Sequence, residues 1–168
     1  LKKDDQALEN LNTALDLNPN LMDVFSNLIA VLAGQKKYDQ AISLAKQIRK
    51  ENPDYAYPAY LVAYIGETLL FADKYNEAIE HYKEAYAMNP KVQNLFATRA
   101  VTTTLGYLYS KNGEKNSAEK LLLETIERRT IDWEEMPERW EFSFDLASAY
   151  AVMGEKENAY QWLYTAVI

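Results

Sequence analysis

Few residues in this chain could do chemistry. His81 is the single histidine; it stands beside Glu80 and Glu84, and there is no Cys to join it. An imidazole flanked by carboxylates could move a proton. With no nucleophile and no second ligand at a useful spacing, His81 reads better as a solvated surface histidine. Glu134, Glu135, Glu138 and Glu141 form the densest acidic run. Carboxylates at helical spacing could hold a hard cation or work as acid and base. Acids gathered where a helix starts are also stabilised by its dipole, and that account suffices here. Gly106 and Gly113 precede no Lys-Ser or Lys-Thr pair, so no loop is built to cradle a phosphate. No catalytic residue, metal or cofactor is assigned, and an enzyme working through the glutamates near Pro137 is the weakest reading.

Charge narrows the partners. A formal net charge of -7 opposes binding to nucleic acid, whose affinity comes largely from Lys and Arg neutralising phosphates. The longest weakly charged stretch, Tyr55 to Ala72, contains Pro58 and Glu67. It is a buried helix rather than a membrane span, which would need about 20 predominantly apolar residues. The opening Leu1-Lys2-Lys3-Asp4-Asp5 has no apolar signal core. That favours the cytoplasm, while the lack of Cys leaves the periplasm open. The same opening, without Met, reads as the start of an internal fragment of a longer chain.

These side chains are carried by a repeated unit. Tyr38-Asp39-Gln40-Ala41-Ile42 runs to Asn52-Pro53, and Tyr75-Asn76-Glu77-Ala78-Ile79 runs to Asn89-Pro90. A half-copy runs from Asp4-Asp5-Gln6-Ala7-Leu8 to Asn18-Pro19. Pro19 to Pro53 is 34 residues and Pro53 to Pro90 is 37. Later copies lose the proline but keep a second spacing. Gly66 to Ala78, Gly106 to Ala118 and Ala147 to Ala159 are each twelve residues. Small residues at these places suit two helices that cross closely, and each Asn-Pro pair ends a helix and starts a turn. The pattern predicts helices near 4-18, 21-34, 38-51, 55-72, 75-88, 91-112, 115-129, 137-153 and 156-167, the sixth long enough to overhang its neighbours. Around Pro137, Trp133 and Trp140 either fill a gap between the last two repeats or form an elbow that touches a partner.

The period, with Leu105-Gly106-Tyr107-Leu108-Tyr109 and Leu146-Ala147-Ser148-Ala149-Tyr150 on first helices, resembles the tetratricopeptide repeat. Phe25, Val62, Thr102 and Ser143 stand where that family usually carries Trp. The resemblance implies an all-α, right-handed superhelical solenoid of helix-turn-helix repeats. It would form a single domain over 1-168: a half repeat 1-19 and repeats 20-53, 54-90, 91-130 and 131-168. It also implies that the first helix of each pair lines a concave groove. On those helices, the faces opposite the packing stripe carry Asp23, Asn27 and Ala30, then Tyr60, Tyr64, Glu67 and Phe71. Thr104, Tyr107 and Lys111 follow, then Glu141, Asp145 and Ser148. The expected groove has an aromatic centre and acidic ends, with Tyr64 and Glu67 at least partly exposed.

The function this implies is a non-catalytic protein-protein interaction scaffold that takes a protein or peptide segment, apolar and basic in character. Chaperone adaptors of the family clamp a terminal carboxylate with several Lys, Arg and Asn; Asn27 and Lys111 alone cannot. The alternative is a self-association or assembly module of a larger multidomain regulatory protein. Trp162, Leu163, Ala166 and Val167 on the last helix have nothing after them to cover them. That predicts either a chain that continues in at least one direction or a homodimer through terminal helices.

Overall fold

Four short polar segments, Gln35-Lys36-Lys37, Ala72-Asp73-Lys74, Asn112-Gly113-Glu114 and Gly154-Glu155, each have to reverse the chain within a few residues. In the computed structural model they do so by one construction. The structure describes residues 2-17, 22-51, 58-94 and 99-167, with the side chains of 2-5, 15, 16, 22 and 23 excepted. Among these residues the elements are α1 (Lys2–Leu17), α2 (Met22–Gly34), α3 (Tyr38–Glu51), α4 (Pro58–Phe71), α5 (Tyr75–Met88), α6 (Val101–Lys111), α7 (Lys115–Glu135), α8 (Trp140–Met153) and α9 (Lys156–Thr165). Two residues before α3, α5, α7 and α9 stands a residue in the left-handed region: Lys36 (φ 60°), Asp73 (58°), Gly113 (80°) and Gly154 (82°). The next amide then donates to the carbonyl five residues back, Lys37 to Leu32, Lys74 to Leu69, Glu114 to Tyr109 and Glu155 to Tyr150, at 2.9 to 3.0 Å. This is the Schellman closure, which satisfies carbonyls left over at a helix end.

The same turn places the repeated alanine. The amides of Ala41, Ala78, Ala118 and Ala159 donate to the carbonyls of Lys37, Lys74, Glu114 and Glu155, at 3.0 to 3.1 Å. Each alanine therefore sits one turn into its helix, and Ala41, Ala78 and Ala118 are buried. Opposite them the first helices present Gly66 and Gly106. A Cβ on Gly66 would lie 3.1 Å from the Tyr82 ring, and one on Gly106 only 2.7 Å from Leu122. The expected close crossings at these glycines are present.

Residues 1-88 and 89-168 form two compact units. In the first, α2 pairs with α3 and α4 with α5, α1 packs on α2, and α3 and α2 both meet α4. In the second, α6 pairs with α7 and α8 with α9, and α8 packs on both α6 and α7. Within each unit neighbouring first helices thus lie side by side. Pro19 and Pro53 lie outside the described residues; Pro90 follows the end of α5 in a turn.

Two expected helices differ from those observed. The helix expected over 91-112 is not continuous: the described residues 91-94, 99 and 100 are not helical, and α6 is an eleven-residue helix, about 16 Å long. Asn89 accepts the Lys91 amide at 2.9 Å, the turn that an Asn-Pro pair favours. Gln93 and Ala100 then form an isolated antiparallel bridge, with Asn94 N–H bonded to Arg99 O and Val101 N–H to Val92 O. Helix α7, in turn, runs on to Glu135. Pro137 therefore lies in the turn between α7 and α8 rather than in the first turn of α8.

The crossing distances generate a stability prediction. Gly106→Ala gains helix propensity of about 1 kcal/mol but must displace the buried Leu122 side chain, an overpacking cost of about 1–3 kcal/mol. A net loss of stability is expected by urea unfolding. Gly66→Ala meets the Tyr82 ring at a looser distance and is expected to lose less.

Candidate functional site

The expected groove residues fall in both units. In the first unit Asp23 lies on α2 with its side chain outside the described residues, Asn27 is exposed and Ala30 half-buried. On α4, whose positions from Leu61 to Leu69 are otherwise buried, Tyr60 and Tyr64 remain half-buried and meet edge to face at 6.3 Å. Phe71, the last residue of α4, is exposed. Glu67 departs from expectation: it is 3% exposed. The mean direction given by 100° per residue put it with Tyr60 and Tyr64, but α4 has neighbours on both flanks, α2 and α3 as well as α5, and its exposed sector is correspondingly narrow.

In the second unit Tyr107 is exposed with the Lys111 ammonium 5.5 Å from its ring. This is a cation–π pair one helical turn apart. With Ser110 they border a crevice closed on the other side by Ala151 and Val152 of α8. Ser148 is half-buried, its hydroxyl donating to the Phe144 carbonyl at 2.9 Å. Glu141 is half-buried and bonded to Arg139 at 3.3 Å. Its carboxyl is held below the ordinary range by its own main-chain N–H and, less strongly, by Arg139.

Thr104 and Asp145 do not face a groove; both are buried, Asp145 completely. Asp145 accepts the Ala100 amide at 2.9 Å, the Thr103 hydroxyl at 2.6 Å and Arg129 Nε at 2.8 Å. Ala100 is the N-cap of α6 and has no polar side chain of its own. A carboxylate from α8 thus takes the part that a glutamate at the third helical position plays in a capping box, and it also faces the positive end of the α6 dipole. Arg129 donates in addition to Asp132 at 2.9 Å and to the Gln93 amide oxygen at 2.7 Å. Around this pair, Arg128 donates to Pro90 O at 2.7 Å and to Thr102, Thr102 bonds Thr125, and Asn94 donates to Thr104 at 2.7 Å. Burial lowers the Arg128 pKa, and the adjacent Arg129 lowers it further. The sequence held two signals of this network: the run Thr102-Thr103-Thr104 at the start of α6, and two consecutive arginines in α7.

The candidates for chemistry stay apart. Glu134 and Glu135 end α7 rather than starting α8, and with Glu138 they are exposed; the dipole account holds only for Glu141, in the first turn of α8. Among the described residues no group of three or more His, Asp or Glu could hold a metal ion. Nor is any helix long and apolar enough to cross a membrane. Trp133 is half-buried and meets Trp162 edge to face at 5.1 Å, so it packs between α7 and α9. Trp140 is exposed and meets Phe144 edge to face at 6.2 Å.

Two predictions arise from these geometries. Asp145→Ala leaves Arg129 buried beside an emptied site and removes the partner of the Ala100 amide. A loss of about 3–5 kcal/mol is expected in urea unfolding, together with fast hydrogen exchange at Ala100. An unchanged Ala100 exchange rate contradicts the assignment. The second concerns pH. Partial burial holds the His81 pKa below its ordinary 6.5, against an opposing pull from Glu84. Between the lowered value and about 6.5 the unfolded chain binds more protons than the folded one, so this contribution to stability grows as pH rises and is lost as it falls. His81→Gln is expected to flatten the stability profile in that window relative to the parent protein.

Known proteins agree with this architecture. Models of the tetratricopeptide repeat match residues 4–65, 65–92 and 103–168. Small glutamine-rich tetratricopeptide repeat-containing protein 2 of Mycosarcoma maydis is 34% identical over 84 residues, 50% of this chain. The matched segment spans 23% of that relative's length. A putative kinesin light chain from Podosopora anserina with nearly identical TPR-like repeats superposes with a TM-score of 0.61 at 16% identity, over 98% of this chain and 86% of that one. YrrB, a TPR protein with an unusual peptide-binding site, gives 0.50 at 15% identity, over 99% of this chain and 77% of that one. At such identities the superpositions speak for the fold alone. With the shared turn construction and three repeat models along its length, the chain belongs to the tetratricopeptide-repeat family and has its all-α solenoid fold.

Proposed function

We propose that this chain is a non-catalytic protein-interaction scaffold that receives a segment of a partner protein on the accessible faces of its first helices. The observation that carries the reading is the placement of aromatic side chains. Tyr60, Tyr64 and Phe71 retain surface on α4 among mostly buried neighbours, and Tyr107 with Lys111 does the same on α6. Aromatic side chains provide large contact area at low entropy cost, which is why they dominate binding energy at interfaces. The family likeness to YrrB, a peptide-binding TPR protein, supports the same use.

The partner segment is apolar where it meets these rings. Its basic character, in this reading, answers the net charge of -7 through long-range steering. Glu67 and Asp145 are buried and take no direct part. Recognition is therefore only weakly salt-dependent at short range, and salt acts mainly on the association rate.

Segments selected from a displayed peptide library against the chain provide the test. Tyr64→Ala and Tyr107→Ala are expected to weaken the selected segments by about 1–3 kcal/mol in calorimetry while unfolding curves stay close to the parent. Full affinity in both variants sinks the aromatic-face reading, and unfolding of either would identify that tyrosine as core.

A further inference from the structure

Thr104, Tyr107 and Lys111 follow one another at spacings of three and four residues, so they share one face of α6. Exposure changes abruptly along that face. Thr104 is 5% exposed, whereas Tyr107 is 39% exposed and Lys111 is exposed as well. What covers Thr104 is the chain's own approach to the helix. Asn94 Nδ2 donates to Thr104 Oγ1 at 2.7 Å and, at a longer 3.4 Å, to Arg99 O. Asn94 is itself 5% exposed. A side-chain amide laid against this hydroxyl makes the contact that a bound segment could have made there.

The covering residues are fastened on both sides of Asn94. Its main-chain N–H donates to Arg99 O at 2.9 Å, and Val101 N–H donates to Val92 O at 3.1 Å. Val92 and Ala100 are completely buried. Gln93 accepts from Arg129, and the Ala100 amide donates to Asp145. Lifting these residues off α6 would strip a buried guanidinium and a buried carboxylate of one hydrogen bond each, which opposes the movement. They are a fixed part of the face. Beyond them the face is open: Tyr107, Ser110 and Lys111 border the crevice closed by Ala151 and Val152 of α8. Both helices that form this crevice belong to the second unit.

We infer that Asn94 is a specificity-determining residue: it stands where a partner side chain would otherwise reach Thr104, and it confines the partner on α6 to the crevice beside Tyr107 and Lys111. The inference rests on the proposed use of these faces for a partner segment. It makes the contact on α6 short, an apolar side chain set against Tyr107, Ala151 and Val152. The test uses segments selected from a displayed library against the full chain, keeping those that Tyr107→Ala weakens about tenfold or more. With such a segment bound, the main-chain amides of Asn94 and Val101 are expected to exchange as slowly as in the free chain. Thr104→Val is expected to change its affinity less than about twofold, because the hydroxyl lies under Asn94. Asn94→Ala uncovers the hydroxyl, and a fresh selection on that variant is expected to yield segments that bind it about tenfold or more tighter than they bind the parent. Should Asn94→Ala not fold, the exchange rates and Thr104→Val decide. Faster exchange at Asn94 in the complex, a tenfold loss with Thr104→Val, or a fresh selection that favours the parent equally overturns the inference alone. If no selected segment is weakened by Tyr107→Ala, the use of α6 for a partner fails and the inference falls with it.

Discussion

Two paired helices cross so closely at Gly106 that a Cβ there would meet Leu122 at 2.7 Å. The same demand, less severe, applies at Gly66 against Tyr82. These contacts set how near the helices of a pair approach, and therefore how well the surrounding aliphatic side chains interlock. The turn between the helices answers to the same constraint. A left-handed residue two positions before the second helix and the closure five residues back put Ala78 and Ala118 one turn ahead of Tyr82 and Leu122, the side chains that the glycines face. Crossing distance and turn geometry are thus one device, repeated along the chain.

The second unit adds a different kind of fastening. A buried carboxylate and a buried guanidinium are costly to desolvate, and they are tolerated where hydrogen bonds satisfy every remaining group. Asp145 and Arg129 meet that condition with three acceptor contacts on one side and three donor contacts on the other. Their geometry is directional in a way that aliphatic packing is not. It ties the loop before α6, the start of α6, the end of α7 and the middle of α8 to one another. Thr102 and Ser143, buried where the family usually carries Trp, leave less apolar volume at these places. The hydrogen bonds of Thr102 with Thr125 and Arg128 accompany that loss. Polar residues that a groove could have displayed are used here to hold the stack, and aromatic residues are what its surface retains.

The sequence by itself determined the all-helical fold, the pairing of helices and the places where they cross. Those features depend on local or strictly periodic signals: a 34-residue period, a twelve-residue Gly-to-Ala spacing, and turn residues adjacent to each helix end. Helical periodicity also separated the two sides of α4, but not how wide its exposed sector is. Width depends on how many neighbours a helix has, and Glu67 went inside because α4 is flanked by α2, α3 and α5. Asp145 is the sharper case. Its nearest partners in sequence are sixteen residues away and its others more than forty, so no local pattern could reveal that an acid on a first helix would cap a different helix. Likewise, the described residues 91-94, 99 and 100 stay outside α6, where the Asn89 turn, the Gln93–Ala100 bridge and the Asp145 contact hold them. Only tertiary structure decides such competitions, because the free energy of a buried charge depends on which donors the fold brings to it.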